Sequence, residues 1–102
     1  MIEMEKIFEI TRAADTKFGM TGPFEVLARL TEELGEIASE VNAIEGSKSK
    51  LEKGESGSEL PAEMVDLLKA LAALIDHYDL LDQVNERIRQ SHQRWRDDGY
   101  IE

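Results

Sequence analysis

Two short acidic stretches hold the residues best able to do chemistry: Glu32-Glu33-Leu34-Gly35-Glu36 and Glu63-Met64-Val65-Asp66. Residues three apart on an α-helix share a face, so Glu33 stands beside Glu36 and Glu63 beside Asp66. Two such helices laid side by side bring four carboxylates around one small volume. Four negative charges do not share that volume without cations, and a cage made only of oxygens suits Mg²⁺, with Mn²⁺ as the alternative. The spacing predicts a metal-dependent enzyme on a helical bundle, acting on a phosphate compound.

Each acidic pair alone is a weak signal, because acidic residues on helices are usually solvated. Glu63 differs in falling inside the apolar face of the most hydrophobic segment of the chain. A carboxylate buried there needs an arginine or a metal beside it. Buried ion pairs and plain solvated edges are the alternatives to a metal site.

The elements that must position these groups read as four helices, an all-α fold in one domain. A first helix is predicted from about residue 3 to 17, with Met4, Ile7, Phe8 and Ala14 on one side. Two glycines and Pro23 punctuate the chain next, and proline suits the first turn of a following helix. That second helix, about 24–44, carries Leu27, Leu30, Leu34, Ile37, Val41 and Ile44 at alternating three and four spacing, a sustained apolar stripe. At roughly 100° per residue, Glu33, Glu36 and Glu40 fall along one edge of it, while Glu32 points to water. Gly35 in mid-helix disfavours the helix by up to about 1 kcal/mol relative to alanine, which suggests that something approaches closely there.

Residues 45–58 are rich in Gly, Ser, Lys and Glu and read as an exposed, mobile loop. It is either a plain connector or a substrate lid bearing Lys48, Lys50 and Lys53. Ser58 is placed to cap a third helix, about 60–78, with Pro61 in its first turn. The broad apolar face of this helix predicts deep burial, with Lys69 and Asp76 pointing the opposite way and Ala70 and Ala73 admitting a neighbouring helix. Asp79 reads as the cap of a fourth helix, about 80–96, whose stripe is Leu81, Val84, Ile88, Ser91 and Trp95. Four of the twelve basic residues, Arg87, Arg89, Arg94 and Arg96, lie in it.

Composition removes several classes of function. With 22 acidic against 12 basic side chains, the net charge of −10 repels nucleic acid backbones and anionic membranes. There is no cysteine, hence no disulfide or thiolate metal site. No apolar run reaches the roughly 18 residues of a membrane span, and the acidic start does not read as a signal peptide. A cytoplasmic protein is the expectation. A di-iron bundle wants Glu-x-x-His on two helices, but Leu74 and Arg89 precede His77 and His92 by three. His77 reads as a helix-end histidine, and Tyr78 and Trp95 as core or interface residues. No nucleophile motif accompanies either histidine.

The stretch Arg29-Leu30-Thr31-Glu32-Glu33-Leu34-Gly35-Glu36-Ile37-Ala38, followed by Glu63-x-x-Asp66, resembles the EExxE…ExxD signature of the MazG-like nucleoside triphosphate pyrophosphohydrolases. The resemblance runs from about Lys17 to Trp95, and includes Glu40-Val41-Asn42. It implies metal ligation by Glu33, Glu36, Glu63 and Asp66, the four acids that helix geometry brings together. It also implies phosphate contacts from the last helix, where Asn85-Glu86-Arg87-Ile88 is similar to the start of an Asn-x-Lys-Phe-x-x-Arg segment. Ser91 stands where that segment has its arginine, with Arg89 or Arg94 to replace it, and Val65 stands where a glycine is usual.

The implied reaction is attack of water on the α-phosphorus of a nucleoside triphosphate, releasing pyrophosphate and a monophosphate. Glu33 or Glu36 would serve as general base, and Asn85 and Arg87 would bind the phosphates. The resemblance further implies a homodimer or homotetramer and a role in clearing unwanted nucleotides. Two other readings stand beside it: a base-selective dUTPase or dCTP pyrophosphatase with the same site, and a non-enzymatic helical interaction module.

Overall fold

The computed structural model describes residues 1–46 and 59–102. It contains four helices: α1, Met4–Phe18; α2, Pro23–Ile44; α3, Leu60–His77; and α4, Leu81–Asp97. No strand occurs among the described residues. The chain is all-α, and the boundaries fall within a residue of those predicted. The expected loop lysines and the Ser58 cap lie outside the described residues.

Helix α3 is the centre, packed by α1 on one side and by α2 on another. On the α1 side, Ile7 and Phe8 are buried against Ala72, with Met4, Leu68, Ile75 and Leu81 closing around them. Thr11 is buried on the same stripe, and its hydroxyl donates to the Phe8 carbonyl at 3.1 Å, so the buried polar group is satisfied. Arg12 completes this contact. Its guanidinium donates to both Asp76 oxygens at 2.9 Å and lies 4.9 Å from the centre of the Phe8 ring. Asp76 thus points away from α2, as its spacing predicts, and finds a partner there.

Helix α2 begins at Pro23 after an extended Gly22, and buries Val26 and Ala43. Its long apolar stripe divides in two. Leu30 and Ile37 are half-buried, but Leu27, Leu34, Val41 and Ile44 are 40–58% exposed. One neighbouring helix covers only one side of so broad a band. Gly35 makes no close approach: a Cβ built there meets nothing within 4 Å.

The deep burial expected for α3 also needs correction. Ala70 and Ala72 are fully buried, yet Met64, Val65, Leu71 and Tyr78 remain 41–57% exposed. The small alanines admit two neighbours closely, and these leave a third face open.

Asp79 does not cap α4. It adopts the left-handed conformation at φ 53° and ends α3 instead. The Asp79 N–H donates to Asp76 O at 3.1 Å and the Leu80 N–H to Ile75 O at 2.9 Å, a Schellman ending with aspartate in glycine's usual place. Helix α4 ends the same way with Gly99, which folds Tyr100 back onto Trp95 at a ring separation of 5.1 Å. Between those ends, α4 buries no residue. The radius of gyration is 17.0 Å, against about 13 Å for a compact domain of this length.

Candidate metal centre

The α2–α3 seam brings the acidic stretches together. Glu33, Glu36 and Glu63 each place a carboxylate oxygen within 4.8 Å of the others. Glu33 and Glu63 are half-buried and Glu36 is exposed, so the group opens to solvent on one side. The Oε2 atoms of Glu33 and Glu63 are shut off from solvent, and among the described residues no donor outside the cluster reaches them. Glu32 is exposed, on the outer side of α2 where its spacing puts it.

Crowding shows in how these acids hold their protons. Glu63 is pushed from its ordinary 4.5 up to about 8, first by a hydrogen bond with Glu36 that exists only if a proton is shared, then by burial and by Glu33. Glu33 is raised as well, chiefly by burial, with the charges of Glu36 and Asp66 adding to the effect and a hydrogen bond from Glu63 opposing it. Without a cation, the cluster holds protons to relieve its own repulsion.

The donor set fits a hard divalent cation. Every ligand is a carboxylate oxygen, and two of those oxygens are buried and meet no donor outside the cluster, as a coordinating atom would be. Histidine and cysteine, which would favour softer metals, do not belong to the group.

Asp66 is not in that group. It lies close enough to raise Glu33, but its Oδ1 is 3.6 Å from Lys69 Nζ. Lys69 therefore does not point away, because it sits one turn after Asp66 and reaches back to it. Asn85 and Arg87 are exposed on α4. Arg87 borders a shallow apolar groove with Val84, Ile88 and Ser91 of its own helix and Leu80 just before it, and the structure does not bring it to the acidic cluster.

Sequence reasoning missed a cleft of about 290 Å³ beside the cluster. It lies between the end of α1, the α1–α2 connection and the α2–α3 seam, and Arg29, Lys69 and His77 are on its wall. The signal was present in the spacing: Arg29 is one turn before Glu33, and Lys69 one turn after Asp66. What hid it is that α1's contribution depends on tertiary packing.

No described helix is long and apolar enough to cross a membrane. Over 73 residues the chain is 38% identical to the uncharacterized protein YpjD of Bacillus subtilis (strain 168). The match takes in 71% of this chain and 65% of that protein's length. No family model matches the chain, and no solved structure matches it.

Proposed function

We propose that this chain is a Mg²⁺-dependent nucleoside triphosphate pyrophosphohydrolase of the MazG-like type, converting a (d)NTP to the monophosphate and pyrophosphate. One observation carries the reading: three carboxylates from two helices converge, with two buried oxygens that meet no donor outside the cluster. Mg²⁺, or Mn²⁺ in its place, would there neutralise phosphate charge and acidify a water. Glu33 and Glu63 would be the anchoring ligands, held by their burial along the seam. Glu36 faces solvent, which suits it to take the proton from the attacking water and return it to bulk. Asp66, one turn along α3 from Glu63, completes the acidic wall and holds Lys69 beside it.

The exposed apolar stripes on α2, α3 and α4 support assembly with a second copy, as a homodimer or homotetramer. In such an assembly Asn85 and Arg87 would reach phosphate from a neighbouring chain. Nucleotide house-cleaning in the cytoplasm suits a cysteine-free, strongly acidic chain. Selectivity for dUTP or dCTP would leave the carboxylate site unchanged. The second reading, an interaction module without catalysis, draws its support from α4, which offers an amphipathic face and no buried residue.

The test is product analysis with each standard nucleoside triphosphate and several damaged ones in the presence of Mg²⁺. Equal amounts of pyrophosphate and monophosphate are expected, abolished by EDTA and by Glu63→Gln, with Asp66→Asn weaker in effect and Glu32→Gln mild. No turnover of any nucleotide, together with no Mg²⁺-induced rise in melting temperature, would leave the interaction module.

A further inference from the structure

The cleft beside the carboxylates has a composition of its own. Arg29 and Lys69 stand on its wall, with Thr11, Asp15 and Phe18 contributed from α1 and His77 from the end of α3. Its volume of about 290 Å³ falls just below the roughly 300–1,000 Å³ typical of small-ligand sites. Resting on the proposed hydrolase reading, we infer that this cleft seats the nucleoside portion of the substrate, with Arg29 and Lys69 positioning the phosphate that joins it to the acidic cluster.

The register of the seam supports this order. Glu33 and Glu36 meet Glu63, while Val26 and Arg29 share the cleft with Lys69, Ala73 and His77. Helices α2 and α3 therefore run antiparallel, and the cleft lies beyond the acids along both. At 1.5 Å per residue, Ala73 is about 10 Å and His77 about 16 Å past Asp66. Arg29 and Lys69 occupy the turn between. A nucleotide laid along the seam meets acids, then cations, then a cleft with an aromatic ring, which matches the order of its own metal-bound phosphates, linking phosphate and nucleoside.

His77 is the residue best suited to read the base. Its Nδ1 is buried with no hydrogen-bond partner, and its ring is held edge-on to Tyr78 at 4.8 Å. A histidine tautomer is normally set by the bond its other nitrogen makes. Here the protein makes no such bond at Nδ1, so the ring can adopt the tautomer that a ligand requires.

The experiment is a titration in EDTA, which leaves the metal out of the readout. The chain has two histidines, His77 and His92, and His92 is exposed on α4, so it serves as an internal control. The imidazole resonances are followed by NMR as deoxynucleoside 5′-monophosphates, the matching nucleosides or inorganic phosphate are added. Saturable movement of His77 alone is expected with at least one monophosphate and, more weakly, with its nucleoside. Arg29→Ala and Lys69→Ala should each weaken the monophosphate about tenfold, as loss of a charge-assisted hydrogen bond does, and weaken the nucleoside much less. Lys69→Arg should restore most of the loss, which guards against a change in fold.

A motionless His77, equal movement of both histidines, or a response to inorganic phosphate alone would overturn the inference. If the wild-type chain hydrolyses triphosphates while His77 stays unmoved, the cleft assignment falls and the hydrolase reading stands. If His77 responds and no triphosphate is turned over, the hydrolase reading falls and a nucleotide cleft remains.

Discussion

The α2–α3 seam and helix α4 have the same kind of apolar spacing, but they end in opposite states. The seam closes on its stripe tightly enough to strand two carboxylate oxygens away from water. Helix α4 has Leu81, Val84, Ile88 and Trp95 in as regular a register, but Ile88 and Trp95 remain 59% and 53% exposed. Periodicity states that a face is to be covered. It does not state whether the cover comes from the same chain. Here the seam covers one side of its stripe and holds the acids in place, although Leu27, Leu34, Val41 and Ile44 stay exposed, whereas α4 buries no residue at all.

The sharpest way to break this contrast is at Glu63, where crowding and burial within the chain raise a carboxyl to about 8. Glu63→Gln should lower turnover by at least about a hundredfold, the upper range for losing even an outer partner of a metal ligand. It should also raise the melting temperature of the metal-free protein near pH 8, because one charge leaves a crowded site. The wild-type pH dependence follows from the same group. Its folded pKa, about 8, lies above its ordinary 4.5, so the folded state binds the proton more tightly than the unfolded state. That contribution to stability is complete below 4.5 and is lost as pH rises through about 8. Thermal melts in EDTA should therefore fall across this window, and Mg²⁺ should rescue more stability at pH 8.5 than at pH 5.5. A flat wild-type profile, or one that Glu63→Gln does not flatten further, would remove the crowded cluster from the account.

The counterpart in α4 is Ile88→Asp. Ile88 is largely exposed within the chain, so helicity by circular dichroism should be unchanged. Self-association should weaken by about 30-fold or more if the residue is central to an interface. Sedimentation equilibrium reads this directly. A wild-type chain that sediments at single-chain mass at micromolar concentration would show that α4's stripe does not join two copies.

The two regions also differ in how far they were legible beforehand. The four helices and the outward turn of Glu32 follow from local spacing and proline placement, which need no tertiary knowledge. The convergence of Glu33, Glu36 and Glu63 follows from the same spacing once two helices are laid together. Asp66 was harder, because Lys69 competes for it at 3.6 Å and an i,i+3 ion pair looks like ordinary surface in sequence. The cleft needed α1, whose Arg12 reaches Asp76 of α3 across a long stretch of chain and whose Thr11 shares the cleft wall with Lys69 and His77. The exposure of Leu34, Met64 and Leu71 was illegible for a simpler reason: apolar spacing counts faces and not neighbours.

Gly35 probes the border between the two regions, since it lies on the helix of the acids but faces open space. Gly35→Ala should stabilise the chain by up to about 1 kcal/mol in urea unfolding, as helix propensity alone would have it. Destabilisation at concentrations where the chain self-associates, reversed on dilution, would instead place a partner helix against Gly35. Either sign is informative about α2's outer face, and only the second would restore the close approach that the sequence suggests.

The smallest expected effect is at Asp79, the hinge between the packed helices and α4. Its φ of 53° carries a strain that glycine does not feel. Asp79→Gly should therefore raise stability slightly, by less than the roughly 1–2 kcal/mol that the left-handed conformation costs an ordinary residue. Were Asp79 acting as the cap of α4, the same change would lose a few tenths of a kcal/mol, and Asp79→Ala would lose about 1. The structure shows Leu80 at the cap position, with no side-chain hydrogen bond there. A stability series of Asp, Asn, Gly and Ala at this position separates the two roles. Strain at a positive φ ranks Gly first and Ala last, whereas capping ranks Asp and Asn together above Gly. The first ranking means that the left-handed residue sets the α3–α4 turn, with the packing of Leu81 on the α1–α3 core fixing where α4 starts.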